Sequence, residues 1–325
     1  MNFKNILIRK IKNSIYKIKY IIVLGYLFNT WFYFFIYKSY WHYLLLPKKK
    51  FDKKIKKNYL SINVNFGARI GHQLANYNAA IFYAKKLGLT HIHTHFPNKK
   101  WEKILDINFN CISSESLLKK GYKKIQLPRF KEKNISDISR IKKIIKSYCR
   151  QKVVFFLEID QAYTNQYEVA PTLQQKFFSS PKRLKDKLTY KKNNFNIAVH
   201  IRMGDILQNK NIIKQRFLDI NYFTKALNKS LSIIKTKKKI VIHIFSEKYE
   251  KSFLKLKEFH NIKFCYNLNQ YQTFLHFIYA DLLITSKSSF SYKAALINRG
   301  IKLCPKQFWH KYPKNKKKWI LLDVH

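Results

Sequence analysis

Short apolar runs alternate with stretches of helically spaced apolar positions through the second half of the chain, from Asn196 onward. Short bounded runs of this kind predict buried strands, and the helical spacing predicts amphipathic helices. The predicted strands are 196–201, 239–245, 261–265, 282–285 and 301–304, and the predicted helices are 221–235, 248–258, 269–280 and 289–298. Regular alternation of strands and helices indicates an α/β fold with a parallel, doubly wound sheet.

A similar strand–turn–helix–strand unit precedes this region. Leu60–Phe66 alternates as a strand does, and a turn with two glycines follows it. Between His72 and Leu87 the apolar positions recur at helical spacing, with Gly88 as the expected stop. His91–His95 then predicts the next strand, and a further buried strand is predicted at Val153–Leu157.

Three segments follow from this pattern. We expect Rossmann-like domains at residues 58–190 and 191–325, and an N-terminal segment, residues 1–57, of a different kind. Tyr20–Tyr37 is uncharged, aromatic and aliphatic, and basic clusters flank it. It is near the lower length limit for a membrane span, so a transmembrane helix, an interfacial helix held by apolar insertion and lysine–lipid attraction, and a helix packed on the globular body all remain open.

Composition adds an extreme charge. The chain carries 65 Lys and Arg against 17 Asp and Glu, a net charge of +48, yet its hydrophobic content of 46% is that of a folded protein. The charge is typical of a nucleic-acid or anionic-membrane binder. The excess is almost entirely lysine, however, and it is spread along the chain without a nucleic-acid motif, which favours a compositional bias. We therefore expect no nucleic-acid partner, while attraction to anionic lipid stays open.

The strongest candidate for chemistry is His200-Ile-Arg202-Met-Gly204-Asp205, which ends a predicted buried strand. Ligands of open α/β sheets bind at the carboxyl ends of the strands. An Arg there offers a rigid fork for phosphate. The alternative is an Arg–Asp pair that only fixes a loop.

Three further segments carry polar side chains next to predicted strand or helix ends. Ser286–Ser291 offers hydroxyls and backbone N–H groups at a helix start, which suits an anion, although ordinary N-capping by Ser288 or Ser289 is the alternative. Phe245-Ser246-Glu247 ends a predicted strand with a carboxylate that can accept hydrogen bonds from a ribose or a guanine. The alternative is that this carboxylate is only the first residue of the next helix. The third segment is the early turn and helix start, with Gly67, Arg69, Gly71, His72, Gln73 and Asn76, and it is not a dinucleotide fingerprint.

Taken in order, these segments resemble the α-1,2-fucosyltransferase family and its α-1,6- and protein O-fucosyltransferase relatives. That family shows H-x-R-R-G-D, later F-S-D-D, and then S-N-S-S-F-S-W-W, with an earlier G-G-L-G-N-Q. This chain has His200–Asp205, Phe245–Lys248, Ser286–Lys293 and Gly67–Gln73 at those places. Asn221-Tyr222-Phe223 and Pro305–Trp309 match the family's Y-Y-x-x-A and P-x-x-W, so the resemblance covers roughly 59–310.

The resemblance implies a GT-B glycosyltransferase that uses GDP-fucose and no metal or other cofactor. It implies donor contacts from His200, Arg202, Gly204, Ser246, Glu247, Ser288, Ser289 and Phe290, with Gly67, Arg69, Gly71 and Gln73 in a turn near the cleft. Arg202 would stabilise the GDP leaving group, since charge develops on the diphosphate during transfer. Asp205 and His72 are the candidate general bases, and the residues leave this choice open.

Some positions depart from the family. Met203 stands at the second Arg of the motif, Tyr292-Lys293 at Trp-Trp, Glu247 at the first Asp, and His72 at the Asn. We expect fucosyl transfer to a glycan hydroxyl, with α-1,2 linkage to galactose favoured, on a surface polysaccharide or its lipid-linked precursor. The expected location is a membrane surface, the cytoplasmic face of a bacterial inner membrane, with a single-pass Golgi-type anchor as the alternative. Another nucleotide sugar as donor, and a basic nucleic-acid or membrane scaffold without activity, are the competing hypotheses.

Overall fold

All the strands described in the computed structural model pair in parallel with their neighbours. The structure describes residues 31–46, 58–159, 161, 163–203, 213, 215–266, 268–313 and 317–324. Within this part of the chain the α/β fold with parallel sheets is confirmed.

The strands form two sheets. The four-stranded sheet has the order β2-β1-β4-β3, with β1 Tyr59–Ile62, β2 Thr90–His91, β3 Lys123–Gln126 and β4 Val153–Leu157. The six-stranded sheet has the order β10-β9-β8-β5-β6-β7, with β5 Asn194–His200, β6 Lys239–Phe245, β7 Ile262–Cys265, β8 Leu282–Ile284, β9 Ile301–Pro305 and β10 Trp319–Leu322.

Helices connect most of these strands. Among the described residues, the α-helices are α1 Lys38–Leu45, α2 Ile70–Leu87, α3 Lys99–Leu105, α4 Ser114–Lys119, α5 Ile135–Ser147, α6 Ala170–Phe178, α7 Ile220–Ile233, α8 Gln270–Tyr279 and α9 Ser289–Ile297. Short 3₁₀ helices span Trp31–Ile36, Gln166–Val169, Pro181–Lys185 and Lys251–Glu258.

The chain divides into two compact units. The first consists of residues 1–63, 83–94 and 112–162 and holds the four-stranded sheet. The second consists of residues 64–82, 95–111 and 163–325 and holds the six-stranded sheet. These units interleave along the sequence, whereas the predicted domains, 58–190 and 191–325, are each continuous.

The core of the second unit explains why its strands were visible in the sequence. Ile197 and Val199 of β5, Ile242 and Ile244 of β6, and Leu282 of β8 are all at most 1% exposed. Alternate residues of a strand point to one face of the sheet, so these side chains cover one face together. Helix α7 packs on that face with its buried stripe, which includes Phe223 and Leu227.

Two predicted strands of the first unit are shorter than the apolar pattern indicated. Strand β1 ends at Ile62 rather than Phe66, because the chain turns at Asn65, whose side chain accepts from the Gly67 N–H at 3.1 Å, and Phe66 is 82% exposed. Strand β2 is Thr90–His91, so it overlaps the predicted His91–His95 only at His91, and His93 makes a single bridge to Ser113 instead.

The predicted helix 248–258 is a 3₁₀ helix over Lys251–Glu258. Strands β3 and β10 were missed. Their residues are mostly half-exposed or exposed, and Lys123-Lys124 and the lysines before Trp319 hide their short apolar runs.

The N-terminal segment is described only in part. Of the predicted Tyr20–Tyr37 stretch, residues 20–30 lie outside the described residues, and Trp31–Ile36 is a 3₁₀ helix followed by extended Tyr37. Phe34 and Tyr37 are buried, and the Arg140 guanidinium of α5 lies 4.8 Å from the Phe34 ring centroid. At its described end the stretch is therefore packed on the first unit and does not continue as one α-helix.

Helix α1 extends this packing. Ser39 Oγ donates to the Gln126 carbonyl oxygen at 2.6 Å, and the His42 ring stacks on Tyr148 with ring centroids 3.9 Å apart. None of the helices within the described residues combines the length and the apolar character that crossing a bilayer requires.

Candidate active site

The order of the six-stranded sheet reverses between the neighbouring strands β5 and β8. From β5 the chain proceeds outward through β6 and β7, then crosses to the other side of β5 and continues through β8, β9 and β10. Counted from the β7 edge this is the order 3-2-1-4-5-6 of the dinucleotide-binding fold. Such sheets bind ligands at the carboxyl ends of the two strands where the order reverses, which here are β5 and β8.

Ser286 joins those two strand ends. It follows β8 by two residues, and its Oγ donates to the His200 carbonyl oxygen at 2.5 Å. The Ser286 Oγ also accepts from the Arg202 backbone N–H at 3.1 Å. Ser286 is 2% exposed, so the two bonds are made away from solvent. The chain that carries Arg202 is thereby fixed beside the loop that leads into α9.

Helix α9 begins in that loop. Ser288 is the N-cap residue, and its Oγ accepts from the Phe290 N–H at 3.3 Å, while its own N–H donates to the Ser286 carbonyl oxygen at 2.7 Å. The predicted alternative, ordinary N-capping by Ser288 or Ser289, is therefore correct for the hydroxyl of Ser288. The helix start retains its partial positive charge and its first-turn N–H groups, which suit an anion.

The early glycine turn lies against the same helix start. A Cβ on Gly71 would stand 3.0 Å from Ser289 Cβ, so the absence of a side chain lets the start of α2 approach the start of α9. Gln73 closes the turn, because its Nε2 donates to the Ala68 carbonyl oxygen at 2.7 Å. His72 is exposed at this junction.

Two residues of the predicted turn lie on its outer side. Gly67 and Arg69 are exposed, and the Arg69 carbonyl oxygen accepts from the His72 N–H at 3.0 Å. The structure thus brings Gly71 and His72 to the α9 start and leaves Gly67 and Arg69 in supporting positions of the turn.

Strand β6 contributes its carboxyl end beside β5. The Ile201 N–H donates to the Phe245 carbonyl oxygen at 2.9 Å, so Ser246 and Glu247 follow at the same edge of the sheet. Glu247 is exposed. Ser246 Oγ is buried without a hydrogen-bond partner among the described residues, which leaves it able to serve a ligand.

Side-chain alternation past the end of β5 separates Arg202 from Met203. Ile201 and Met203 are buried in the core with Leu218, whereas His200 and Arg202 are half-buried on the other side of the chain. The family's second Arg is therefore replaced at a position whose side chain packs inward in this protein. Gly204 and Asp205 lie outside the described residues.

His200 is neutral at the site. Burial, followed by the charge of Arg202, lowers the pKa of its imidazole to about 3. Its ring centroid lies 5.2 Å from that of Phe277 and 5.9 Å from that of Phe290. A neutral ring beside Arg202 leaves the guanidinium as the cationic group of this strand end.

Phe290 belongs to an aromatic cluster under the loop. Its centroid lies 5.1 Å from that of Phe274 and 6.3 Å from that of Trp101. Trp101 and Phe274 are both buried, and their ring centroids are 5.3 Å apart. The ring supports the start of α9 from below. Sequence reasoning missed Trp101 because helix α3 lies far from the motifs along the chain.

His310 was also missed. Its Nε2 lies 2.9 Å from Ser289 Oγ, although it belongs to the segment after β9. The available signal was its position directly after Pro305–Trp309, the segment that matched the family's closing motif.

Comparison with protein-family profiles identifies the family of this chain. A parallel α/β sheet with anion-binding groups at its switch point is typical of enzymes that bind nucleotides. The profile of glycosyl transferase family 11 matches residues 20–323. The chain belongs to this family, the fucosyltransferase family that the motifs resemble, and it is a glycosyltransferase.

Solved structures with similarity are distant. The fucosyltransferase NodZ from Bradyrhizobium is 11% identical with a TM-score of 0.42, and the match covers 75% of this chain and 94% of that one. POFUT1 in complex with GDP-fucose is 12% identical with a TM-score of 0.45, over 84% of this chain and 99% of that one. No curated protein matches the chain at a significant level.

Proposed function

We propose that this chain transfers fucose from GDP-fucose to a glycan hydroxyl, with inversion at the anomeric carbon and with α-1,2 linkage to galactose as the favoured product. The family and the order of the motifs support the donor. The observation that carries the proposal is the Ser286 bridge, which holds the Arg202 segment beside the start of α9.

The chemistry needs positive charge at that place. In the proposed reaction the acceptor oxygen forms a bond to the anomeric carbon opposite the leaving group. The bond from that carbon to the β-phosphate oxygen breaks, and its electron pair stays on GDP. The Arg202 guanidinium and the N-terminus of α9 are the groups that would stabilise this charge, so we propose a metal-independent transfer.

The acceptor hydroxyl must also lose its proton. His72 is exposed at the α2 start, next to Gly71, which lies against Ser289 of α9. We keep His72 and Asp205 as the two candidate bases. A GT-B organisation, with residues 58–190 on the acceptor side, is part of the same proposal.

The test uses the purified full-length chain. GDP release is measured with GDP-fucose and a panel of galactose-ended acceptors, with chelator present, and with other nucleotide sugars in parallel. We expect Arg202→Ala to lower kcat by about 10²-fold, as removal of one stabilising group does elsewhere. Arg150→Ala, an exposed arginine of the first unit, is the matched control and should retain full turnover.

Two results would contradict the proposal. Undiminished turnover of Arg202→Ala would remove the assigned role of that residue. Tighter binding of UDP than of GDP in calorimetric titration would favour the alternative of another nucleotide sugar, and it would contradict a guanine contact by Glu247.

We also propose that the chain works at an anionic lipid surface. Four large apolar side chains on or next to α1 are exposed, just before the lysine-rich residues 48–57. They are Ile36 (61% exposed), Trp41 (45%), Leu44 (43%) and Leu45 (77%). Exposed aromatic and aliphatic groups beside lysines suit an interfacial contact. Cosedimentation with phosphatidylglycerol vesicles should be lost in a Trp41→Asp, Leu45→Asp variant. Unchanged binding of that variant would place the contact elsewhere.

We favour the cytoplasmic face of a bacterial inner membrane, with a surface polysaccharide or its lipid-linked precursor as acceptor. Cell fractionation, with protease treatment of intact cells, tests this location. Digestion of the chain from outside would overturn it.

A further inference from the structure

His310 reaches the start of α9 from a distant part of the chain. It lies beyond β9, and its Nε2 is 2.9 Å from the Oγ of Ser289, the first residue of the helix. Ser289 is also the residue that Gly71 of α2 approaches most closely. One hydroxyl thus lies where two helix starts and the segment after β9 come together.

The imidazole of His310 is held on its face and at its edge. The Tyr292 ring stacks on it with centroids 4.4 Å apart and planes 11° apart, and Phe308 contacts its edge at 5.0 Å. Tyr292 is fixed in turn, because its hydroxyl donates to the Lys311 carbonyl oxygen at 2.7 Å. The ring can therefore change neither its position nor its orientation cheaply.

The imidazole is neutral in this environment. Burial, then the charges of Lys293 and His72, lowers the pKa of His310 to about 2. A neutral imidazole carries one N–H and one lone pair, and the tautomer decides which of these Nε2 presents to Ser289.

An anion near the α9 start selects between the two tautomers. When Nε2 carries the proton, it donates to Ser289 Oγ, and the hydroxyl hydrogen is then available for the anion. In the other tautomer the hydroxyl donates to His310 and turns a lone pair toward the anion, which is repulsive. An anionic oxygen at this place therefore favours the tautomer that makes Ser289 a donor.

We propose that His310 is a positioning residue for the sugar donor. It orients the Ser289 hydroxyl so that this hydroxyl donates to a diphosphate oxygen of the nucleotide sugar. The inference rests on the proposed function, and it adds a residue outside the motifs on which that function was argued. Tyr292, which stands where the family has Trp, serves as the support of this imidazole.

The test separates the hydrogen bond from the packing. His310→Phe keeps a flat ring on Tyr292 and removes the bond to Ser289. His310→Gln keeps an amide donor in its place. Ser289→Ala removes the other partner, and His310→Phe with Ser289→Ala removes both. His260→Phe, at an exposed histidine of the same unit, is the matched control.

GDP affinity is measured by calorimetry, and KM and kcat are measured for GDP-fucose. We expect His310→Phe to weaken GDP binding and to raise KM by about fivefold, the effect of one hydrogen bond of ordinary strength, with a smaller change in kcat. His310→Gln should restore most of the affinity. Ser289→Ala should cause a similar loss, and the double variant should lose no more than either single variant.

The outcomes distinguish the two proposals. Wild-type protein that binds no GDP and releases none from GDP-fucose contradicts the proposed function itself. Wild-type protein that is active, with His310→Phe of equal GDP affinity, overturns the role of His310. Independent, multiplying losses in the double variant overturn it as well, because the two residues would then act separately. Ligand-free melting curves of all variants establish that each is folded.

Discussion

Lys302 lies inside the sheet although it is a lysine. It is the second residue of β9, its side chain is 2% exposed, and its Nζ donates to the Gly300 carbonyl oxygen at 2.9 Å. The Trp319 ring centroid lies 5.4 Å from the ammonium. Burial, with a further contribution from the charge of Lys318, lowers the pKa of Lys302 from 10.5 to about 8, and Cys304 opposes this.

The lowered pKa has a calculable effect on stability. The unfolded chain binds the proton more tightly than the folded chain, so folding is penalised wherever the amine is protonated in both states. Each tenfold change in proton affinity is worth about 1.4 kcal/mol, and the penalty below about pH 8 is therefore about 3 kcal/mol. As the pH rises from about 8 toward 10.5 the penalty disappears, because both states then hold the neutral amine.

Lys302→Met removes the penalty. After allowance of about 1 kcal/mol for the lost hydrogen bond, the variant should be more stable than wild type by about 2 kcal/mol near pH 7. The difference should shrink by about 1 kcal/mol near pH 9. Urea unfolding followed by tryptophan fluorescence at both pH values measures it, and Lys239→Met, at an exposed lysine of β6, should show no such change. A difference that stays constant or grows with pH would refute the reasoning.

Two further predictions concern the site. Gly71→Ala should weaken GDP binding severalfold and destabilise the fold by about 1 kcal/mol, because the new Cβ would lie 3.0 Å from the Cβ of Ser289. In the control variant Gly67→Ala, the new Cβ would meet no atom nearer than 3.8 Å, so this variant should be neutral. Calorimetry and melting curves compare the two variants, and equal behaviour would contradict the close approach. Met203→Arg should destabilise the protein by about 3 kcal/mol without raising activity, since it buries a charge in the core. The control Met203→Leu should lower the free energy of unfolding by less than about 1.5 kcal/mol. A Met203→Arg protein of wild-type stability and higher turnover would show that the position faces the ligand.

The sequence was most informative where burial is complete. Strand β6 was predicted at its observed ends, and β5, β8 and β9 within two residues, because their apolar runs are nearly uninterrupted. Strands β3 and β10 escaped because only part of each is covered, so lysines are tolerated in or beside them. Helix α2 was found because its stripe is regular and Gly88 ends it with a φ of 70°.

The candidate site divides in the same way. The motifs around Arg202 and Ser289 were visible because they combine unusual residues with predicted strand and helix ends. The contacts of Ser286 and His310 depend on β8 lying beside β5 and on the chain returning after β9. The first arrangement has no local signal, and the second is indicated only by the position of His310 directly after Pro305–Trp309. The inward position of Met203 does have one, since the alternation that buries Ile201 continues for two more residues.

The neutral histidines have a consequence for how the site responds to acidity. Burial lowers the pKa of His200 to about 3 and that of His310 to about 2, so neither changes charge over the range in which enzymes usually work. A guanidinium group keeps its proton in proteins, and backbone N–H groups such as those of α9 do not titrate at all. In the proposed complex, these protein groups would therefore act as a fixed electrostatic template for the diphosphate of the donor.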